Sequence, residues 1–263
     1  MTSAEHAVLV RRLRAAGCVF AEEEATLLLS AADGPDSLEA LVARRESGEP
    51  LEQVLGWVAF CGLRIAVAPG VFVPRQRTAL LVRLATARTR PGSVVLDLCC
   101  GTGALGAAVA AAVPGVQVHA ADVDPAAVAC ARRNLAPWGG RVVEGDLFDP
   151  LPAQLRGQVG VLLANVPYVP TGAIADLPPE ARDHEPRRAL DGGPDGLAVL
   201  RRVAAAAPLW LAPGGVLLTE SGGDLAAGAS AALEDAGLVA EGVEDDDLGA
   251  TAVLGTRPGQ AGG

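Results

Sequence analysis

From Ser93 onward the sequence alternates between short apolar segments and helical segments, and this alternation limits the possible folds more than any other feature. Seven segments are predicted as strands: SVVLDL, VQVHAADV, RVVEGD, VGVLLAN, GGVLLTES, LVAEGVED and ATAVLGTR. Segments between them carry apolar residues at helical spacing, and Pro125 opens one helix at the first-turn position that proline favours. The alternation predicts an α/β fold, with a mostly parallel sheet covered by helices on both faces.

The residues before this alternating region follow a different pattern. Residues 1–55 have apolar side chains at helical spacing, interrupted by glycine and proline, and predict a small helical domain. Residues 56–75 show short β-like alternation broken by proline and glycine, which predicts a β-hairpin that links two domains. We therefore expect an N-terminal helical domain at 1–55, a hairpin linker at 56–75 and the α/β domain at 76–263.

Charge and cysteine content narrow the classes of function. Residues 91–263 contain 10 arginines, 21 acidic residues and no lysine, so the predicted α/β domain is strongly acidic. This balance argues against direct binding to nucleic acid, which needs basic side chains to neutralise phosphates. The five cysteines lack CxxC spacing, which argues against a disulfide framework or a metal site and favours a cytoplasmic setting. No apolar stretch has the length of a membrane span.

A glycine-rich loop follows the first predicted strand of the α/β domain. In VLDLCCGTGALG, Asp97 ends the strand, and Gly101, Gly103 and Gly106 precede a helix. Asp122 ends the next strand, where a carboxylate can accept hydrogen bonds from ribose hydroxyls. The pattern formally satisfies the dinucleotide fingerprint. However, Asp97 would repel a pyrophosphate and attract the amino group and sulfonium of S-adenosylmethionine, so we favour the latter as the ligand.

The third predicted strand ends at Asp146 in EGDLF. At this position the carboxylate can accept a hydrogen bond from an adenine amino group, and Leu147 can pack on the ring. Glycines that serve only a tight turn would explain the loop without any ligand. Acidic residues at the ends of successive strands favour a nucleoside site instead.

The fourth predicted strand ends in Asn165, Val166, Pro167 and Tyr168. The side-chain oxygen of Asn165 and the backbone carbonyl of Val166 can accept the two N–H groups of a planar NH₂. Pro167 stiffens the turn, and Tyr168 can stack on a flat substrate. Catalysis would then consist mainly of orienting two bound reactants. The segment predicts methyl transfer to an amide or aromatic amine nitrogen.

Four segments are similar to characteristic segments of one enzyme family: GEPLEQVLGWVAFCGLRIAVAPGVFVPR, LDLCCGTGALG, NVPY and HEPRRALDGGPDGLAVLRR. Through them the chain resembles the HemK-type protein-(glutamine-N5) methyltransferases over nearly its whole length. The resemblance implies a Rossmann-like class I methyltransferase with a seven-stranded, mostly parallel sheet and a small N-terminal helical domain for substrate recognition. It also implies S-adenosyl-L-methionine as methyl donor, S-adenosyl-L-homocysteine as product, and a protein substrate with an exposed glutamine loop, either a peptide chain release factor or a ribosomal protein.

The resemblance and the residue patterns together define two sets of candidate site residues. The candidate cofactor-binding residues are Asp97, Cys99, Cys100, Gly101, Thr102, Gly103, Asp122, Asp146, Leu147 and Asn165. The candidate catalytic residues are Asn165, Val166, Pro167 and Tyr168. An N-methyltransferase of nucleic acid or of a small molecule, and a non-catalytic S-adenosylmethionine-binding relative, are the alternatives.

Three positions depart from the family pattern. Val166 stands where the signature has a proline, and Arg77 stands where an acid is expected. Cys99 replaces the first glycine of the donor loop, which fits the loop only if this position needs no positive φ. These departures leave the reaction type in place and bear on the identity of the substrate.

Overall fold

The computed structural model describes residues 3–259. The predicted domains also extend over residues 1–2 and 260–263, which lie outside the described residues. Within residues 3–259, no helix combines the length and the apolar character that crossing a membrane requires. The same residues contain no group of three or more histidine, cysteine or acidic side chains placed to hold a metal ion.

Four helices form the N-terminal part of the chain: α1 (Ser3–Ala15), α2 (Ala21–Ala31), α3 (Pro35–Glu46) and α4 (Leu51–Leu55). Leu13 and Leu28 are fully buried in a hydrophobic core that these helices share. Arg45 of α3 donates from Nε to Glu24 of α2 at 2.6 Å, and both side chains are almost fully buried. The N-terminal helices thus have a core and a buried ion pair of their own.

An antiparallel hairpin joins these helices to the rest of the chain. It consists of β1 (Trp57–Phe60) and β2 (Leu63–Ala66). Its buried side chains belong to the core on one face of the main sheet. The side-chain amide of Asn134 accepts from the backbone N–H of Ala66 and donates to its carbonyl, each at 2.9 Å. These two bonds fix the hairpin against the α/β part of the chain.

Seven strands form the main sheet: β3 (Val94–Leu98), β4 (Gln117–Asp122), β5 (Arg141–Glu144), β6 (Val159–Ala164), β7 (Leu211–Ser221), β8 (Val239–Asp245) and β9 (Ala250–Thr256). Their order across the sheet is β5-β4-β3-β6-β7-β9-β8. The first five strands in this order run parallel, whereas β9 runs antiparallel to both β7 and β8. The prediction of a seven-stranded, mostly parallel sheet is confirmed.

Helices cover both faces of this sheet. The remaining helices are α5 (Ala79–Arg88), α6 (Ala104–Ala112), α7 (Pro125–Leu135), α8 (Pro179–His184), α9 (Arg187–Leu190), α10 (Ala198–Trp210) and α11 (Ala226–Asp235). Successive strand residues point to opposite faces, so Val95 packs with α5, α6 and α7, and Leu96 packs with α10 and α11. The two cores confirm the predicted α/β class with helices on both faces.

The register of the central strands determines where the functional segments lie. Leu98 at the end of β3 pairs with Ala121 in β4 and with Ala164 in β6. The three parallel strands therefore end at nearly the same level, and the segments that follow them leave the sheet side by side. Ligands of open α/β sheets bind at this carboxyl edge.

Candidate active site

A cavity of about 450 Å³ lies at the carboxyl edge of β3, β4 and β6. Small-molecule sites in proteins are typically about 300–1,000 Å³ in volume. The wall of this cavity consists of the loops after β3 and β6, the end of β4, residues 70–78 before α5, and helices α8 and α9. The predicted site segments at the ends of β3, β4 and β6 thus enclose one space together with helices α8 and α9.

The loop after β3 contributes Cys99, Cys100, Gly101 and Thr102 to the cavity wall, whereas Gly103 lies outside it. The N–H of Gly103 donates to the carbonyl of Cys100 at 2.7 Å and closes a tight turn. Cys99 has a φ of 53°, so this position does adopt a positive φ, and the condition under which cysteine would fit the loop without strain is not met. A left-handed backbone costs a non-glycine residue roughly 1–2 kcal/mol. Burial raises the pKa of the Cys99 thiol to about 12, so the thiol is neutral.

Asp122 lies on the cavity wall at the end of β4. Its carboxylate accepts from the backbone N–H groups of Gly101 and Asp124, each at 2.9 Å. Burial raises the pKa of this carboxyl, while the two backbone donors oppose the shift. Because an ionised carboxylate has about four acceptor positions, Asp122 retains capacity for hydroxyl donors of a ligand.

Asp97 lies beneath the same loop and does not reach the cavity wall. Its Oδ2 accepts from the N–H of Gly106 at 3.0 Å, and its Oδ1 has no partner among the described residues. Burial raises the pKa of Asp97 to about 8. In this structure, therefore, Asp97 supports the turn between β3 and α6 from behind.

The segment after β5 does not form part of the cavity wall. Asp146 accepts a hydrogen bond from Nη2 of Arg202 at 2.6 Å, and Leu147 packs against the edge of the core beneath α10. Neither residue belongs to the cavity wall. The structure brings Cys99–Thr102, Asp122 and Asn165–Tyr168 together on the cavity wall, whereas Asp97, Gly103, Asp146 and Leu147 do not belong to that wall.

Asn165, Val166, Pro167 and Tyr168 all line the cavity directly after β6. The Oδ1 atom of Asn165 is buried and has no hydrogen-bond partner among the described residues. A buried oxygen without a donor has a free energy cost of about 1–3 kcal/mol. A ligand that donates an N–H group to this atom would remove that cost, so the Asn165 side chain is suited to receive an NH₂ group.

Comparison with known proteins identifies the family. Residues 62–176 match the family model of the Methyltransferase small domain. A release factor glutamine methyltransferase of Geobacter sulfurreducens is 43% identical over 193 residues, which cover 72% of this chain and 67% of that protein. The chain belongs to the HemK-type methyltransferase family.

One further relative and one solved structure define the range of this similarity. A 4-amino-L-phenylalanine/4-methylamino-L-phenylalanine methyltransferase of Streptomyces pristinaespiralis is 40% identical over 188 residues, covering 69% of this chain and 64% of that protein. A methyltransferase structure from Pyrococcus furiosus aligns with a TM-score of 0.56 at 19% identity, covering 75% of this chain and 90% of that chain. The first comparison extends the sequence similarity to an enzyme named for a free amino acid, and the second supports the fold alone.

The HemK-like segment LDGGPDGL (Leu190–Leu197) packs against the loop that begins with Asn165–Tyr168, which we call the acceptor loop. The N–H of Val169 donates to the carbonyl of Leu190 at 2.9 Å, and the N–H of Gly192 donates to the carbonyl of Val169 at 2.8 Å. A Cβ atom at Gly192 would lie 2.8 Å from both the carbonyl oxygen of Pro167 and the Cα of Tyr168. Only glycine allows the two backbones to approach this closely.

Helices α8 and α9 cover the cavity, and the buried Glu185 between them forms an ion pair with Arg75. The side chain of Glu185, between the two helices, is fully buried and accepts from Nη2 of Arg75 at 2.7 Å on each carboxylate oxygen. Burial raises the pKa of Glu185, whereas Arg75 lowers it. Glu185 had no predicted role, although the similarity of HEPRR to a family segment was a signal for it.

The partly exposed Arg77 and the buried Glu220 form a second contact, which the sequence did not predict. Glu220 near the end of β7 accepts from Nε of Arg77 at 2.8 Å and from Oγ1 of Thr78 at 2.6 Å. Nη2 of Arg77 donates to the hydroxyl of Tyr168 at 2.5 Å. The available signal was the acid near the end of the fifth predicted strand, GGVLLTES.

The donor side of the cavity fits S-adenosylmethionine. Loop residues Cys99–Thr102 face the cavity, and a Cβ atom at Gly101 would meet no other atom within 4 Å, so the loop backbone is open to a ligand. Asp122 at the end of β4 retains acceptor positions where dinucleotide-binding sheets commonly place a carboxylate for ribose hydroxyls.

Proposed function

We propose that this chain transfers a methyl group from S-adenosyl-L-methionine to the side-chain amide nitrogen (N5) of a glutamine in a peptide chain release factor. The observation that carries this proposal is the buried Oδ1 of Asn165 on the cavity wall, which has no hydrogen-bond partner within residues 3–259. The G. sulfurreducens relative, which is named for release factor glutamine methylation, supports the choice of substrate.

The donor would be held by Cys99–Thr102 and Asp122, with Asn165 between the donor and acceptor sides. When bound, S-adenosylmethionine supplies a methyl group on a positively charged sulfur that is reactive toward a nitrogen nucleophile. Asp122 accepts hydrogen bonds from hydroxyl groups, while Asp97 and Gly103 maintain the turn that exposes the loop backbone. The hydrogen bonds of Asp122, Asp97 and the backbone of Gly103 support these roles.

The acceptor amide would be held by two oxygen atoms. Oδ1 of Asn165 and the backbone carbonyl of Val166 accept its two N–H groups, so the nitrogen is oriented toward the methyl group. Such orientation can account for about 7–11 kcal/mol of a reaction barrier. The nitrogen loses a proton only after it has been methylated, so no strongly basic side chain is needed. A substrate that lacks the NH₂ group leaves buried oxygens without donors, at a cost of about 1–3 kcal/mol.

The protein substrate would contact more of the chain than the cavity alone. We propose a division into a substrate-recognition domain at 1–55, a hairpin linker at 56–75 and a methyltransferase domain at 76–263. Glu180 of α8 lines the cavity and accepts from Nη2 of Arg45 in α3 at 2.7 Å. A protein that docks on the N-terminal helices would therefore contact the segment that covers the acceptor side.

Methyl transfer to an intact release factor tests the proposal. The full-length protein is incubated with isotopically labelled S-adenosylmethionine and either a release factor or ribosomal proteins, and methyl groups are mapped by mass spectrometry. We expect one labelled glutamine in the release factor. Asn165→Ala should lose transfer and largely keep donor affinity, as measured by calorimetry. Absence of methylated glutamine in every protein offered would refute the proposal.

A free aromatic amine is the second candidate acceptor. The S. pristinaespiralis relative is named for 4-amino-L-phenylalanine, whose ring amine is also a planar NH₂ group. The same two oxygens, on Asn165 and Val166, would accept its N–H groups, and Tyr168 would stack on its ring. Methylation of 4-amino-L-phenylalanine, without methylation of any glutamine, would favour this candidate over the release factor.

A further inference from the structure

Arg77 is placed to control the position of Tyr168. It lies in a short 3₁₀ turn, Gln76–Thr78, on the cavity wall. Its Nε donates to Oε1 of Glu220 at 2.8 Å, and its Nη2 donates to the Tyr168 hydroxyl at 2.5 Å. The planar guanidinium of Arg77 therefore connects the carboxylate of Glu220 to the hydroxyl of Tyr168, whose residue lines the cavity.

Glu220 is the fixed end of this arrangement. Its side chain is only 5% exposed, whereas that of Arg77 is 45% exposed. Besides the bond from Arg77, it accepts from Oγ1 of Thr78 at 2.6 Å and from the Tyr168 hydroxyl at 3.3 Å. A buried carboxylate requires a cation and hydrogen-bond donors, and here Arg77 is the cation in contact with it. The carboxylate in turn is held by β7, beside β6 from which Tyr168 follows.

We propose that Arg77 is a positioning residue, which holds the hydroxyl of Tyr168 against Glu220 and so fixes the ring on the acceptor side of the cavity. The catalytic consequence rests on the proposed methyl transfer, whereas the contact itself does not. Arginine suits this role because its rigid fork donates to two acceptors at once, which the single ammonium group of lysine does not do with the same geometry. Arg77 is also one of the positions at which this chain departs from the family pattern.

The ionisation of Tyr168 reports on this contact directly. Tyr168 is the only tyrosine of the chain, so the absorbance change of phenol ionisation arises from this residue alone. Burial raises the pKa of Tyr168, Glu220 raises it further, and Arg77 lowers it. Arg77→Gln should therefore raise the pKa above the wild-type value, and Glu220→Gln should lower it. Arg83→Gln is the control, because Arg83 pairs with Asp245 away from the cavity, and it should leave the titration unchanged.

Kinetics with the release factor test whether the contact positions the ring. Arg77→Gln should lower kcat by about tenfold to a hundredfold, since displacement of a positioned group by 1 Å can cost about that much. The KM for S-adenosylmethionine should stay close to wild type. Arg77→Lys restores the positive charge, so it should return the tyrosine titration toward wild type and recover kcat only in part. Arg83→Gln should keep full activity.

The possible outcomes separate this proposal from the proposed function. An unchanged tyrosine titration in Arg77→Gln would overturn the contact. A shifted titration with unchanged kcat would overturn the positioning role and leave the contact. If the wild-type protein methylates neither a glutamine nor an aromatic amine, the proposed function fails, and the titrations of the Arg77 and Glu220 variants alone decide on the contact.

Discussion

Replacing Gly192 with alanine should destabilise the protein and slow methyl transfer at the same time. Gly192 lies in the segment that supports the acceptor loop. A Cβ atom at this position would lie 2.6 Å from the carbonyl oxygen of Gly196 and 2.8 Å from both the carbonyl oxygen of Pro167 and the Cα of Tyr168. All three neighbours are backbone atoms, which cannot avoid the methyl group by changing rotamer.

The size of the effect follows from these distances. Ordinary van der Waals contact begins at 3.4 Å, so the backbone of Pro167 and Tyr168 must move by about 0.6 Å. Overpacking of this kind typically costs about 1–3 kcal/mol of unfolding free energy. A movement of this size in the loop that orients the acceptor should lower kcat by about tenfold, because a shift of 1 Å can cost about a hundredfold.

Urea unfolding and steady-state kinetics measure the two effects, with Gly242→Ala as the matched control. A Cβ atom at Gly242, in the edge strand β8, would meet no other atom within 4 Å. The control should keep wild-type activity and gain slightly in stability, since glycine weakens a strand. Equal unfolding free energies and equal kcat values for the two variants would refute the argument that Gly192 is required by close backbone approach.

Three further substitutions test buried acids and their partners. Burial raises the pKa of Asp97 to about 8, so the stability that its protonated form contributes at low pH is lost as the pH rises. Between about pH 5.5 and pH 8, the unfolding free energy of Asp97→Asn should therefore rise by about 3 kcal/mol relative to that of wild type, measured by urea unfolding. A difference in unfolding free energy that does not change with pH would contradict this. Glu185→Gln removes the negative charge that pairs with Arg75 and should accelerate amide hydrogen exchange over residues 179–190. Unchanged exchange would argue that Glu185 does not hold helices α8 and α9 over the cavity. Arg45→Met leaves Glu24 buried without its cation and should cost about 3–5 kcal/mol in unfolding free energy; a loss below 1 kcal/mol on the same urea curves would show that this pair contributes little.

Local patterns in the sequence were sufficient for the fold class. Strand alternation has a period of two residues and helical alternation a period of about 3.6, so the seven strands and most of the helices that follow them can be read from single segments. Parallel strands place their carboxyl ends at one edge, and the loops that contain Gly101 and Asn165 do meet at one cavity with Asp122. The covering helices α8 and α9 are short and carry little periodicity, so the sequence did not predict them.

What only the tertiary structure decided depends on contacts between distant segments. Arg77 and Glu220 are 143 residues apart, and they meet because the register of β6 and β7 places Glu220 beside the Tyr168 loop. The positive φ of Cys99 and the position of Asp146 outside the cavity wall likewise follow from how the loops pack. Local sequence determines which residues end each strand, but strand register and packing determine which of those side chains touch.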